Sequence, residues 1–147
     1  MNSEYRIENT GRQRGSVKQD ANRRGGEPRV PVDIAERTFQ FGLRILKVLR
    51  AVPRGPAGQV ISRQLVRCGT AVGANVAEAQ GLHTRRDFAR RMNTVRTEAR
   101  ETLYWLRLIA ESAMLPSRRL GPLMVEADEI TRVLTAIVKN ARREKSP

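Results

Sequence analysis

Residues 64–80, QLVRCGTAVGANVAEAQ, hold Gly69 and Gly73 four positions apart inside a run whose apolar residues recur at helical spacing. In a helix interior each glycine costs on the order of 1 kcal/mol relative to alanine. A chain that keeps two of them on one helical line is built for an unusually close approach of backbones. Ala77 continues the line, so the ridge Gly69, Gly73, Ala77 lies on a different side from Leu65 and Val72. Packing within one chain and packing between copies both suit it.

The helical spacing extends in both directions. From Asp33, a residue suited to an N-cap, the positions Ile34, Thr38, Phe41, Ile45, Leu46, Leu49 and Val52 define an inward face, and Pro53 ends the helix. PRGPAG at 53–58 is a turn. A second helix is predicted over residues 59–80, with Ile61, Leu65, Cys68, Val72, Val76 and Ala79 inward. Thr84 then caps a third helix, with Asp87 three residues on completing a loose capping box. Its seam of Phe88, Met92, Val95, Ala99, Leu103 beside Thr102, Leu106, Ala110 and Ala113 repeats every seven residues. That predicts about 30 helical residues ending at Pro116, longer than the first helix, with an overhang able to dock a neighbour. Ser117 caps a fourth helix carrying Leu120, Leu123, Met124, Ala127, Ile130, Leu134, Ile137 and Ala141. Pro122 fits only if its first turn starts late, and a charged tail begins at Arg142. Four amphipathic helices with short connections and no strand pattern predict an all-α, antiparallel up-down four-helix bundle.

A chain of 147 residues suits one domain, expected over 33–143. Residues 1–32 combine glycines, prolines and charges with few large apolar side chains, so a disordered basic tail is expected there, and a short disordered C-terminus over 144–147. The single cysteine, Cys68, cannot form an intramolecular disulfide. Neither an N-terminal apolar segment nor an apolar run near the roughly 20 residues of a membrane span is present, so the expected setting is the cytoplasm.

The formal net charge is +13. Residues 1–32 hold seven Lys or Arg against four Asp or Glu, and residues 33–147 hold 21 against 11, so +10 sits on the predicted folded part. Such an excess suits a polyanionic partner or a solvated, arginine-rich surface. It concentrates on the third helix, where Arg85, Arg86, Arg90, Arg91, Arg96 and Arg100 fall within sixteen residues against Asp87 and Glu98. This broad flank would grip phosphates without reading bases, unless Glu98, Glu101 and Glu111 pair with the arginines on the same helix. With three Phe, two Tyr and one Trp, mostly at core positions, base stacking on single strands is unsupported.

The second helix also carries a polar edge: Gln64, Arg67, Ala71, Asn75 and Glu78 share one side. Asn75 borders the inward stripe, where a buried amide needs partners. A hydrogen-bond network with Glu101 or Tyr104 of the third helix would supply them, and a polar pocket is the alternative. Catalysis is not expected. His83 is the only histidine and Cys68 lies on the inward stripe, so no Cys and His pair, zinc set or Glu-x-x-His di-iron arrangement can form within one chain. GPAG lacks the lysine and preceding strand of a phosphate loop, and no cofactor or metal is expected.

The stretch at 64–80, with its Gln-Leu-x-Arg start and Ala-Asn-x-x-Glu end, followed by RRDF at 85–88 and EARETLYWL at 98–106, resembles the four-helix proteins related to 23S rRNA-intervening sequence proteins. That superfamily includes the accessory variability determinant proteins of diversity-generating retroelements. The resemblance covers residues 33–143. It implies a homo-oligomeric ring, typically a pentamer, with basic surfaces that bind nucleic acid, RNA more than DNA, and in the retroelement branch a reverse transcriptase. Gln64, Arg67, Asn75, Glu78, Phe88 and Glu101 fall on recurring positions, with no catalytic role implied. Ala79 and Gln80 stand where a glycine is commoner, and Cys68 where a small hydroxyl residue is commoner. The expected function is thus nucleic-acid binding without catalysis. The rival expectation is a protein-interaction scaffold or ribosome-associated protein whose nucleic-acid affinity is incidental.

Overall fold

A computed structural model describes Pro28 and residues 30–143. Of the expected tails at 1–32 and 144–147, residues 1–27, 29 and 144–147 lie outside the described residues. Four helices follow one another: α1 (Val32–Leu49), α2 (Pro56–Ala79), α3 (Arg85–Glu111) and α4 (Ser117–Arg143). Each packs on the next in sequence, and α4 returns to α1 along the thinnest of the four seams. Short connections force neighbours antiparallel, so the chain is an up-down four-helix bundle.

In α1 the buried positions are Ile34, Thr38, Phe41, Ile45, Val48 and Val52. This alternation of four- and three-residue steps tracks the 3.6-residue turn. Leu46, expected inward, is 42% exposed, because it lies one residue out of that phase, and Val48 takes its place. Asp33 does not cap the helix. Pro31 occupies the cap position, its carbonyl accepting from the Ile34 and Ala35 amides at 3.1 and 3.3 Å, and Asp33 lies in the first turn as a negative charge on the positive helix end. Val30 is buried as well, so the packed region begins ahead of the expected boundary at 33.

The glycine ridge of α2 proves to be an intramolecular contact. A Cβ added at Gly69 would stand 2.9 Å from two carbons of the Ile45 side chain, and one at Gly73 would stand 3.1 Å from the Thr38 carbonyl oxygen. Here α1 therefore lies against the backbone of α2. Ala77, one turn on, is exposed, so the close contact spans two turns and not the three expected. Inward residues of α2 follow the expected stripe, Ile61, Leu65, Cys68, Val72, Val76 and Ala79. Burial pushes the Cys68 thiol up from its ordinary range, and its S–H points to the Leu65 carbonyl at 3.7 Å.

Thr84 caps α3 as the sequence predicts: its Oγ1 accepts from the Asp87 amide at 3.1 Å and donates to the Asp87 carboxylate at 2.6 Å. The helix ends at Glu111, well short of Pro116. Ala113, expected in the seam, is exposed and left-handed, with φ 59°. The Met114 amide bonds to the Ile109 carbonyl and the Ala113 amide to the Ala110 carbonyl, each at 3.2 Å. This is a Schellman ending with alanine at the position glycine usually fills. Thr102 is fully buried in place of the half-exposed Leu103, its hydroxyl donating to the Glu98 carbonyl at 2.7 Å.

At 27 residues, α4 is as long as α3, so α3 has no overhang of its own. Pro122 lies inside α4 and not in a delayed first turn, with the buried Leu120 and Leu123 pinning the chain on either side of it. At the other end the helix continues through Arg142 and Arg143, residues the sequence reading assigns to a tail.

Candidate nucleic-acid interface

Toward α2, the cations of α3 and α2 are answered by carboxylates. Arg67 of α2 reaches Glu98 at 3.4 Å and hydrogen-bonds Glu101, while its Nε donates to Gln64 Oε1 at 3.4 Å. Trp105 Nε1 donates to the same Glu101 carboxylate at 3.2 Å. The Arg67 hydrogen bond, assisted by that of Trp105, holds the Glu101 carboxyl below the usual carboxylate range. One to two turns along, Arg91 donates to Asn75 Oδ1 at 2.8 Å and bridges to Glu78 at 2.8 Å. Asn75 in turn donates to its own helix at the Ala71 carbonyl. Gln64, Arg67, Asn75, Glu78 and Glu101 therefore line one seam. The partner of Asn75 is Arg91, not Glu101 or Tyr104, whose ring instead meets Trp105 edge-on at 5.1 Å. Arg91 is thereby occupied within the fold, so it does not stand in the phosphate-gripping flank expected of it. Among the described residues no group of three His, Cys, Asp or Glu is placed to hold a metal.

Toward α4 the balance reverses. The first turns of α3 and the last turns of α4 run side by side, and Arg85, Arg86, Ala89, Arg90 and Asn93 face Ala141 and Arg142 across a groove of about 350 Å³. A second hollow of about 380 Å³ shares Arg142 and adds Arg96, Thr135, Val138, Lys139 and Arg143. Among the described residues, neither is lined by a carboxylate. Among the described residues Arg86, Arg90, Lys139, Arg142 and Arg143 enter no ion pair, and Arg96 donates to the neutral Asn93 at 2.6 Å. Arg100 is exposed on α3 beyond the groove lining. Thus Arg85, Arg86, Arg90 and Arg96 come together, while Arg91 and Arg100 do not join them.

Lys139, Arg142 and Arg143 form the part of this surface that sequence reasoning missed. A signal was present, because residues 130–143 contain four Lys or Arg and no acid. Treating the last of them as a tail detached them from α3, whereas the helix carries them to its side. Like charges gathered across a groove repel unless an anion lies between them, and arginine forks match phosphate oxygens.

Together the described residues define a basic all-α bundle with a neutralised α2–α3 seam and a cationic α3–α4 groove. The chain belongs to the 23S rRNA-intervening sequence protein family, which it matches over residues 31–136. It is similar to a crystal structure of a protein of unknown function from the S23 ribosomal protein family of Bacteroides thetaiotaomicron. The two are 29% identical, with a TM-score of 0.68, over 72% of this chain and 98% of that one. A comparison with curated protein sequences gives no match.

Proposed function

We propose that this chain is a non-enzymatic, homo-oligomeric bundle that holds RNA by its phosphate backbone in the α3–α4 groove. The observation that carries the reading is a groove edged by arginines and a lysine from two helices and lined, among the described residues, by no carboxylate. Family membership supports RNA as the polyanion, since the family takes its name from sequences interrupting 23S rRNA. Among the described residues no aromatic ring lines the groove, so contact falls on phosphates and not on bases. Self-association is supported by an apolar stripe on the outer face of α1, where Phe39, Leu43 and Leu46 are each more than 40% exposed. A ring of five copies is the assembly that the family resemblance favours, and light scattering of the purified protein checks it.

Binding of a structured RNA followed across salt tests the central claim. Six phosphate contacts predict a loss of affinity of roughly 10³-fold between about 50 and 200 mM salt. Absence of binding at low salt, or binding indifferent to salt, sinks it. The α1 stripe also favours a second reading, a scaffold that docks a protein such as a reverse transcriptase. Arg86→Glu with Arg90→Glu separates the two: loss of RNA with partner docking retained supports RNA binding, and the reverse supports the scaffold.

A further inference from the structure

From Arg37 to Ala77 the chain carries seven Lys or Arg and not one Asp or Glu. Two of these cations have structural work: Arg37 forks onto Glu126 and Glu129 of α4, and Arg67 joins the seam with α3. A third, Arg44, helps hold the Glu126 carboxyl low. Arg50, Arg54 and Arg63 remain without an ion pair among the described residues, and all three are exposed. They come from the end of α1, the connecting turn and the second turn of α2, yet they line one hollow of about 390 Å³ with Leu49, Pro53 and Gln59. Lys47 stands exposed one turn before Arg50.

The turn that gathers them is tightly built. A Cβ at Gly58 would lie 1.7 Å from the Pro53 carbonyl oxygen, so only glycine lets the turn fold back on α2. Three arginines therefore line one hollow, with no carboxylate beside them among the described residues, a costly arrangement for a surface that faces water alone. This hollow lies at the α1–α2 turn, whereas the α3–α4 groove lies at the opposite end, beyond the 24 residues of α2, or about 36 Å of helix.

We propose that the α1–α2 end is a second phosphate-backbone site, so that one bundle holds two segments of nucleic acid at once. The inference rests on the RNA-binding reading of the α3–α4 groove and extends it from a gripping to a bridging protein. With no aromatic ring in its lining among the described residues, the second site is also indifferent to base sequence.

The test titrates the full chain with a short fluorescent RNA hairpin, with circular dichroism confirming that each variant keeps its helices. Two hairpins per chain are expected for the wild type. R50E/R54E/R63E and R86E/R90E/R142E should each retain one, and the six-fold variant none. Loss of three contacts should lower the salt slope of the affected site by roughly 2–3. R50Q/R54Q/R63Q, which removes charge without reversing it, replaces R50E/R54E/R63E if that variant fails to fold and should give the same stoichiometry. One hairpin per wild-type chain, unchanged by R50E/R54E/R63E, overturns the second site while leaving the first intact. No hairpin bound by the wild type sinks the groove reading itself. Loss of binding to anionic phospholipid vesicles in R50E/R54E/R63E, with hairpin stoichiometry unchanged, assigns this end to a membrane and also overturns the proposal.

Discussion

Helix α3 presents arginine to two neighbours, and only one of them answers. Along α2, Arg91 meets Glu78 and Asn75, and the carboxylates Glu98 and Glu101 meet Arg67. Along α4, Arg86 and Arg90 face Arg142, with Lys139 and Arg143 close by. Both faces belong to one helix with one composition, so a count of arginines along it says little about binding. What separates paired from unpaired cations is the side chain packed opposite: α2 sets Glu78 and Asn75 against Arg91, whereas α4 sets Arg142 against Arg86 and Arg90.

The largest effect that would sharpen this contrast is on affinity. Arg86→Glu with Arg90→Glu and Arg142→Glu should weaken RNA binding by about 10²-fold or more at about 100 mM salt, with helicity unchanged, as a filter-binding titration would show. Arg67→Ala should leave RNA affinity within about twofold; an equal loss there breaks the comparison. Stability should respond in the opposite sense. Arg67→Ala strips Glu98 and Glu101 of their partner and should lower the unfolding free energy by about 1 kcal/mol in urea, whereas Arg90→Ala should change it by less than about 0.5 kcal/mol.

Acid should divide the two faces as well. The carboxyls of Glu101 and Glu126 are held below the ordinary range by Arg67 and Arg37 respectively. Their stabilisation is therefore complete above the unfolded carboxylate value of about 4.3, and is lost as pH falls through the lower folded values. Thermal unfolding should show a midpoint steady from pH 7 to 5 and declining below about 4.5. Glu101→Gln should flatten that decline. RNA affinity, set by arginines and lysine with no carboxylate in the lining among the described residues, should stay constant between pH 7 and 5. The smallest effect involves neither face: Ala113→Gly relieves a left-handed alanine and should raise stability by roughly 0.5–1 kcal/mol without altering RNA binding.

Much of the bundle was legible because helical phase and capping are local. Ile34, Thr38, Phe41 and Ile45, the α2 stripe and the Thr84–Asp87 cap all follow from spacing within one turn or two. Errors arose where neighbours outvoted local preference. Leu46 and Val48 are both plausible core residues, and only the phase set by α2 and α4 chooses Val48. Ala113 continues a heptad on paper, yet the chain has already turned toward α4. The candidate site was half legible for the same reason. Four of the six α3 arginines line the groove or the hollow beside it, but removing Arg91 and adding Lys139, Arg142 and Arg143 requires knowing which helix lies opposite.

The Arg37 fork has a consequence for how the molecule opens. Its Nε and Nη2 grip the two Glu126 oxygens at 2.6 and 2.9 Å across the thinnest seam, between α1 and α4. The bundle is built like a clasped book: α1 and α2 form one cover, α3 and α4 the other, with the α2–α3 seam as spine and Arg37 as clasp. Amides flanking the clasp should then exchange with solvent before those along the spine, and Arg37→Ala should widen that gap. Two covers, each carrying a cationic hollow at its own end, would move apart as the book opens, so a strand held at both would resist the opening.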